Sequence, residues 1–317
     1  MNSEIPDLKD GWVASSFSFD QYRVELSPGS LEQLRRILDT LSDEQVTHER
    51  LHASYGQSQL MTEVTGLRAR YVDHGPGYVV VAGLGSIDES RRKSAFRALS
   101  LCVAPMHYQD DRGMELKEVR DRGTAIGEGA TSWYSDSRYG GSLHTDGAKS
   151  AAPLPHYFTL FCERQAARGG ATHLVSVQAL FHHLARHRPE SIDVLTEPFY
   201  FHLRGDKTPD GQNKVAKPVF FREGGRICMS YLREYIEAGH AEPDVPDLSP
   251  AQLDALDALD AYLDDPAHRV AGYMQPGDTI IVNNKVILHG RSEYEPVADA
   301  AAGRLLYRIW LQKPTNS

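Results

Sequence analysis

Two histidines and one aspartate are the residues of this 317-residue chain whose types and spacing best suit metal chemistry. His144 and Asp146 lie two positions apart, directly after a pair of glycines. In an extended chain, residues i and i+2 project to the same face, so both side chains can bind one ion. A His-x-Asp pair is common by itself, and it gains weight from His289 in the later segment 283–291. Two histidines and one carboxylate form the facial triad that holds non-haem Fe(II) and leaves coordination positions open.

Two arginines near the carboxyl end suit an anionic cosubstrate. Arg304 and Arg308 lie four residues apart in a strand-like segment, among apolar residues. A carboxylate bound beside a metal needs a fixed, always charged partner that can bind it bidentately. A buried arginine without an anionic partner is costly, so the pair predicts an anion-binding position; two structural salt bridges are the alternative. Thr172, which follows a turn at Gly169 and Gly170, offers a hydroxyl to the same anion.

The combination of these motifs resembles the TauD/TfdA family of Fe(II)- and 2-oxoglutarate-dependent dioxygenases. Over roughly residues 77–313, the matching motifs are Leu143-His144-Thr145-Asp146, Gly169-Gly170-Ala171-Thr172, His289-Gly290-Arg291 and Arg304-x-x-x-Arg308. The long spacing from the distal histidine to the arginine is similar to that of the clavaminate-synthase-like and butyrobetaine-hydroxylase-like branches. One position departs from the pattern, because the family's usual Gly-Gly-Asp-Thr turn has Ala171 in place of the aspartate.

The resemblance implies a role for each of these residues. It implies three ligands for Fe(II): His144, Asp146 and His289. It implies that Arg308 binds the distal carboxylate of 2-oxoglutarate with help from Thr172, and that Arg304 assists there or contacts the substrate. With O2 as the second cosubstrate, the implied reaction oxidises an unactivated C–H bond by hydroxylation, desaturation or cyclisation. Halogenating relatives have a small residue in place of the carboxylate, so the retained Asp146 favours these reactions over halogenation.

The substrate is expected to be a small molecule. Its candidate contacts are polar or charged side chains near the metal motifs: Glu128, Ser132, Tyr134, Ser137, Arg138 and Arg291. A pocket that offers both a carboxylate and guanidinium groups suits a zwitterion, so we expect an amino acid or an amino-acid-derived metabolite. The alternative is that these side chains only solvate a surface loop.

Two other classes of function stay open on the sequence alone. One is a jelly-roll protein that binds a metal or senses a ligand without turnover. The other is a zinc-dependent hydrolase, because zinc also accepts two histidines and a carboxylate. The hydrolase lacks a clear general base next to the ligands and gives the two arginines no role.

The elements that must position these residues are mainly strands, with added helices. Strands are expected at 77–83, 157–162, 199–203, 216–221, 227–231, 279–282 and 304–312, and residues 169–176 are expected to form a turn that leads into another strand. Helices are expected to begin near Ser30, at Ser86, near Ser176 and at Ser249, where capping residues precede apolar stripes. Residues 44–74 receive no assignment, and 106–140 are interpreted as a functional loop. Many short strands with a few helices predict a double-stranded β-helix, or jelly roll, with helical additions.

Composition limits the remaining possibilities. We expect one catalytic domain over 1–317, with a helical or irregular extension over 1–75 and the dioxygenase core over 77–313. The formal charge of −9 argues against nucleic-acid or membrane partners and leaves the oligomeric state open. Three dispersed cysteines and the absence of a secretory pattern predict a reducing, cytoplasmic location.

Overall fold

The computed structural model describes residues 11–110, 112–123, 134–148, 153–208, 210–297, 299 and 302–313. In chain order, the strands of this part are β1 (Arg23–Glu25), β2 (Tyr78–Ala82), β3 (Met106–His107), β4 (Leu116–Val119), β5 (Gly141–His144), β6 (Tyr157–Arg164), β7 (Thr172–Ser176), β8 (Pro198–His202), β9 (Lys214–Pro218), β10 (Phe220–Glu223), β11 (Arg226–Met229), β12 (Val270–Gly272), β13 (Thr279–Asn283), β14 (Ile287–Arg291) and β15 (Leu305–Leu311). The helices are α1 (Pro28–Thr40), α2 (His48–Tyr55), α3 (Gln59–Leu67), α4 (Glu89–Val103), α5 (Val177–His187), α6 (Pro189–Thr196), α7 (Arg233–His240) and α8 (Pro250–Asp264).

Two sheets carry the residues with predicted chemistry. The larger sheet has seven strands, in the order β1-β2-β13-β6-β15-β3, with β4 also paired to β15. The smaller has four strands, in the order β12-β7-β14-β5. The pairing of β1 with β2 is parallel, and the other pairings in these two sheets are antiparallel. Two separate hairpin-like pairs, β8 with β9 and β10 with β11, complete the described strands.

Alternation along the strands explains how the sheets are layered. In β2, Tyr78 and Val80 point toward the smaller sheet, whereas Val79 and Val81 point toward helices α1 to α4. In β14, Ile287 faces the larger sheet and the adjacent leucine faces helices α5 to α8. Each sheet is therefore apolar on both faces, which accounts for strands that are almost continuously hydrophobic in sequence.

Capping residues fix where several helices begin. Ser249 caps α8 with its side chain and Ser176 caps α5, both as predicted. The prediction for α1 was wrong in position, because Ser27 accepts the capping hydrogen bond and Ser30 lies inside the helix. α4 begins at Glu89 after Asp88, so the capping box predicted from Ser86 does not form.

The coarse fold prediction is confirmed: the chain is mainly sheet, with helices added on both outer sides. The described strands form no closed barrel, so the double-stranded β-helix itself stays a prediction. Residues 44–74, left unassigned, contain α2, α3 and a π-helical stretch over Arg68–Asp73. The expected loop 106–140 includes β3 and β4, and its segment 124–133 lies outside the described residues. Among the helices described, none is long and apolar enough to cross a membrane.

Candidate active site

The two histidines of the predicted triad are brought together by strand register. His144 ends β5 and lies opposite His289 of β14 in an antiparallel pair. Directly opposite residues project to the same face of a sheet, and the two imidazole centroids are 4.5 Å apart. Asp146 follows in the turn just after β5, and its side chain is almost completely buried. The three residues therefore meet on the side of the smaller sheet that faces the larger one.

The distances between these side chains suit a metal ion better than direct hydrogen bonds. His144 Nε2 lies 3.8 Å from Asp146 Oδ1, and His289 Nε2 lies 3.7 Å from Asp146 Oδ2. Both distances exceed the hydrogen-bonding range. Two atoms that each lie about 2.1 Å from one ion are separated by at most about 4.2 Å, so both pairs can share an ion. One ligand atom from each of the three residues lies within 4.8 Å of the others.

Protonation also favours a metal-binding set. The Nδ1 atom of His144 lies 2.8 Å from the carbonyl oxygen of Ser142, which can only accept a hydrogen bond. Nδ1 therefore carries the hydrogen, and the lone pair of Nε2 is free to bind a metal. Burial, with His144 and Arg308 nearby, lowers the pKa of His289 to about 3, although Asp146 opposes the shift. Burial alone would raise the pKa of Asp146, but Arg308 and the two histidines hold it below its usual value. Neutral imidazoles and an ionised carboxylate are the forms that bind Fe(II).

A buried asparagine holds the turn that carries Asp146. The backbone N–H of Asp146 donates to Asn284 Oδ1 at 2.8 Å, and Asn284 Nδ2 donates to the carbonyl oxygens of Asp146 and Pro155 at 2.9 and 3.1 Å. On the other side, Thr145 exchanges two hydrogen bonds of 3.0 Å with the backbone of Tyr231. The carboxylate thus points inward from a backbone that is fixed on both sides.

Two side chains of β15 donate directly to the Asp146 carboxylate. Arg308 donates from a guanidinium N–H to Oδ1 at 2.8 Å, and Trp310 donates from Nε1 to Oδ2 at 2.8 Å. Arg308 Nε also donates to Gln109 Oε1 at 2.9 Å, and the amide of Gln109 returns a bond to the Arg308 carbonyl oxygen. Both carboxylate oxygens are therefore oriented before any ion binds.

Arg304, which directly precedes β15, occupies a different environment at the start of this strand. Its side chain is 5 % exposed, and its Nε donates to Gln165 Oε1 at 3.1 Å. Its NH1 atom is buried and has no hydrogen-bond partner among the described residues. Burial, with Arg291 nearby, lowers the pKa of Arg304 to about 10, so the group stays charged at neutral pH. A buried cation in this state can accept an anion at little further desolvation cost.

The double glycine before Thr172 passes close to this guanidinium. Gly169 and Gly170 have φ of +74° and +76°, a region that favours glycine. A Cβ atom on Gly169 would lie 2.1 Å from the Glu293 carbonyl oxygen, and one on Gly170 would lie 3.0 Å from Arg304 Nε. Thr172, buried at the start of β7, is two residues beyond this approach.

The predicted substrate contacts are distributed differently from the metal ligands. Arg291 donates to the backbone carbonyl oxygens of Tyr134, Ser137, Arg138 and Tyr139, so it fastens the segment ahead of the metal motif. The buried Ser137 donates to the carbonyl of Tyr134, and Arg138 is partly exposed and contacts Tyr139. Glu128 and Ser132 lie outside the described residues.

Sequence reasoning missed three residues that support the triad: Gln109, Asn284 and Trp310. Asn284 is the middle residue of the polar run Asn283-Asn284-Lys285 between two apolar strands, so the sequence marks a turn there and its burial is seen only in the structure. Trp310 shares a strand face with Arg308, so its N–H was within reach of the same group. Gln109 comes from a distant, polar segment and gives no signal in the sequence.

Fold and site together define a non-haem iron enzyme of two facing sheets, with a His-Asp-His set between them. The family model for the taurine catabolism dioxygenase TauD, TfdA family matches residues 57–310. The chain belongs to this family, and the predicted resemblance is confirmed. It is an oxidoreductase that uses Fe(II), 2-oxoglutarate and O2, and its family supports this assignment over the sensing and hydrolase alternatives.

Individual relatives are distant in sequence. The chain is 23% identical over 250 residues to FR-33289 synthase of Streptomyces rubellomurinus. This match covers 76% of this chain and 70% of the relative. It is 31% identical over 173 residues to uridine-5'-phosphate dioxygenase of a Streptomyces species. This match covers 52% of this chain and 59% of the relative.

Solved structures share the fold. Asparagine oxygenase in complex with Fe(II), 2S,3S-3-hydroxyasparagine and succinate superposes with a TM-score of 0.69 at 20% identity, over 92% of this chain and 94% of that one. The non-heme iron oxygenase OrfP in complex with Fe and alpha-ketoglutaric acid gives a TM-score of 0.64 at 15% identity, with the same coverage.

Proposed function

We propose that the protein oxidises an unactivated C–H bond of an amino acid or an amino-acid-derived metabolite. The observation that carries this proposal is the convergence of His144, Asp146 and His289 on one face, with both carboxylate oxygens already oriented. Two structural relatives support the substrate class, since one was solved with 3-hydroxyasparagine and the other with (3S)-hydroxy-L-Arg. Hydroxylation is the simplest outcome, with desaturation and cyclisation as variants of the same oxidation.

The three ligands have distinct tasks in this proposal. His144 and His289 supply imidazole nitrogen ligands, and Asp146 supplies the negative charge. When bound, Fe(II) supplies the activation of O2. Arg308 and Trp310 keep the carboxylate in one orientation, and Asn284 fixes the backbone beneath it.

The two arginines divide the remaining work. The sequence-based prediction gave the distal carboxylate of 2-oxoglutarate to Arg308. The contacts favour Arg304 instead, because Arg308 already bonds to a metal ligand and to Gln109, whereas Arg304 has a buried N–H without a partner among the described residues. We therefore propose that Arg304, with the Thr172 hydroxyl, binds this carboxylate. Arg308 holds Asp146 and contributes positive charge on the metal side of the pocket.

Atoms balance in the proposed hydroxylation. One O2 molecule and one 2-oxoglutarate yield succinate and CO2, with one oxygen atom going to succinate and the other to the substrate carbon. The substrate loses one C–H bond and gains one C–O bond. The described residues provide ligands, orientation and an apolar wall at Phe158, whose ring lies 4.2 Å from that of His289.

Two finer assignments accompany the function. We propose that the facing seven- and four-stranded sheets are the two halves of the predicted double-stranded β-helix, supported by the apolar cluster that both sheets share. We also propose a reducing, cytoplasmic location, supported by the buried free thiols of Cys102, Cys162 and Cys228.

The test is succinate formation by the purified protein with Fe(II), 2-oxoglutarate and O2, with and without each of the common L-amino acids. We expect slow succinate formation without substrate and a marked increase with the right amino acid, whose product gains one oxygen or loses two hydrogens. The matched control is the same protein loaded with Zn²⁺, which cannot support redox chemistry and should form none. Iron-dependent turnover that only uncharged, amine-free compounds stimulate would reject the proposed substrate class.

A further inference from the structure

The first turn of α7 lies beside the metal motif, and the backbone connects the two directly. Tyr231, which precedes α7, exchanges two hydrogen bonds with Thr145, the residue between His144 and Asp146. Three residues later, Glu234 accepts a hydrogen bond of 3.0 Å from the Ser142 hydroxyl. The position of the Glu234 carboxylate is therefore set by the same strand and turn that carry the metal ligands.

Ser142 gives the direction in which this carboxylate lies. Ser142 and His144 are two residues apart in β5, so their side chains share the face on which His289 also lies. Two residues of a strand span about 7 Å. Glu234 thus lies at the rim of the metal site and is close enough to contact a small molecule bound there.

Only one of the two oxygens of the Glu234 carboxylate accepts hydrogen bonds from the described residues. One oxygen, Oε1, accepts from Ser142 and from the Tyr134 hydroxyl at 3.3 Å. The other, Oε2, is buried and has no hydrogen-bond partner among the described residues. A buried carboxylate oxygen without a donor is costly, so this atom can be satisfied by a cationic or donor group of a ligand.

The neighbouring Tyr235 connects this position to the metal site. Burial raises the pKa of Tyr235 to about 12, and charges on both sides act on its phenol: Arg204 and Arg308 lower the pKa, and Glu234 and Asp146 raise it. The ring also lies under the guanidinium of Arg204 at 5.2 Å. The rim therefore presents a negative group at Glu234 and positive groups at Arg204 and Arg308 around one aromatic side chain.

We propose that Glu234 is a specificity-determining residue that binds the positively charged amino group of the substrate. The inference rests on the proposed amino-acid substrate class and names the group that selects it. The Ser142 and Tyr134 hydroxyls hold one carboxylate oxygen in place, which leaves Oε2 for the ammonium group. A neutral analogue leaves Oε2 buried without a partner, and this penalty is the basis of discrimination.

The experiment compares each L-amino acid with its N-acetyl derivative, which has the same side chain and no positive charge on nitrogen. Wild-type protein should form succinate faster with an L-amino acid and show no increase with its N-acetyl form. Glu234→Gln keeps the shape of the side chain and removes its charge. It should raise the KM for that amino acid by roughly 10- to 100-fold, with a smaller change in kcat, because a charged hydrogen bond is lost.

The matched control is Glu237→Gln, which changes a glutamate one turn further along α7. Glu237 is exposed and pairs with Arg233. This variant should keep the wild-type KM. The melting temperature of each variant separates loss of binding from loss of folding.

The outcomes separate this inference from the proposed function. If the wild-type protein forms no succinate with iron and 2-oxoglutarate, or if neither an amino acid nor its N-acetyl form increases succinate formation, the proposed function fails. If one of these compounds does increase it, the inference alone is overturned by either of two results. One is an unchanged KM in a folded Glu234→Gln variant, and the other is stimulation by N-acetyl forms alone.

Discussion

The two ends of β15 differ in how many polar atoms of their charged side chains have hydrogen-bond partners in the protein. At the metal end, each oxygen of Asp146 accepts a hydrogen bond from the protein, from Arg308 or from Trp310. At the other end, Arg304 is more deeply buried than Arg308, yet it keeps an N–H without a partner among the described residues. The carboxylate at the first end is already oriented by the protein, whereas the guanidinium at the second end keeps an unused donor. This contrast is the basis of our proposal that the first end orients a metal ligand and the second binds the cosubstrate.

The largest effect is expected from removing a metal ligand. His144→Ala, Asp146→Ala and His289→Ala should each abolish iron binding and succinate formation, because a site with three protein ligands does not tolerate the loss of one. Iron content and turnover are measured together. The control is His187→Ala, which changes an exposed histidine at the end of α5 and should leave both unchanged. Wild-type turnover in any of the three ligand variants would contradict the assignment of the site.

The next largest effect is expected from removing the arginine at either end of β15. Arg304→Ala should raise the 2-oxoglutarate concentration needed for half-maximal succinate formation by more than about 100-fold, because breaking a buried charge pair costs about 3–5 kcal/mol. Arg308→Ala should weaken iron binding first, since it removes a donor to Asp146. Titrations of iron and of 2-oxoglutarate separate the two effects.

A conservative variant sharpens this result. Arg304→Lys keeps the charge and loses the planar fork, so it should lie between wild type and Arg304→Ala in its 2-oxoglutarate requirement. If Arg308→Ala instead raises that requirement more than Arg304→Ala does, the roles are reversed and the original sequence-based prediction is correct.

A smaller effect is expected from the tryptophan at the metal end. Trp310→Phe keeps an aromatic ring of similar shape and removes the donor to Asp146 Oδ2. Loss of such an outer hydrogen bond should lower iron affinity by roughly tenfold. The affinity for 2-oxoglutarate, measured at saturating iron, should change far less. Equal losses in both affinities would mean that the two ends of β15 are not independent.

The triad could be predicted from the sequence because two of its three residues are close together in the chain. His144 and Asp146 are two residues apart in an extended segment, so periodicity alone puts them on one side. His289 follows a buried strand, and its register with His144 required the structure. Asn284 and Trp310 sit in recognised segments but act through tertiary hydrogen bonds that the sequence does not specify.

Arg304 and Arg308 share one sequence pattern, yet they meet different partners in the structure. Arg308 lies in β15 and Arg304 directly precedes it, and both were predicted to share one strand face among apolar residues. What distinguishes them is the partner each meets across the fold: Asp146 for one, and Gln165 with the Gly170 backbone for the other. Partners separated by more than 130 positions are set by topology, which short-range spacing cannot supply.

The smallest predicted effect comes from a helix cap away from β15. It shows what a loss of stability alone does to the affinities for iron and 2-oxoglutarate. The Ser249 hydroxyl accepts a hydrogen bond of 3.2 Å from the backbone N–H of Gln252 at the start of α8, and the backbone N–H of Ser249 donates one of 3.0 Å to Gln252 Oε1. Ser249→Ala should lower the free energy of unfolding by about 1 kcal/mol, the usual effect of losing such a cap. Urea titration measures this change.

Iron and 2-oxoglutarate affinities should stay at wild-type values in Ser249→Ala, because α8 packs in the apolar cluster on the outer face of the smaller sheet, away from the triad. The comparison between the two ends of β15 depends on this outcome. A folded Ser249→Ala protein that binds iron as weakly as Trp310→Phe would mean that the tryptophan acts through global stability. Wild-type affinity in Ser249→Ala, together with a tenfold loss in Trp310→Phe, assigns the tryptophan's effect to its hydrogen bond with the metal ligand.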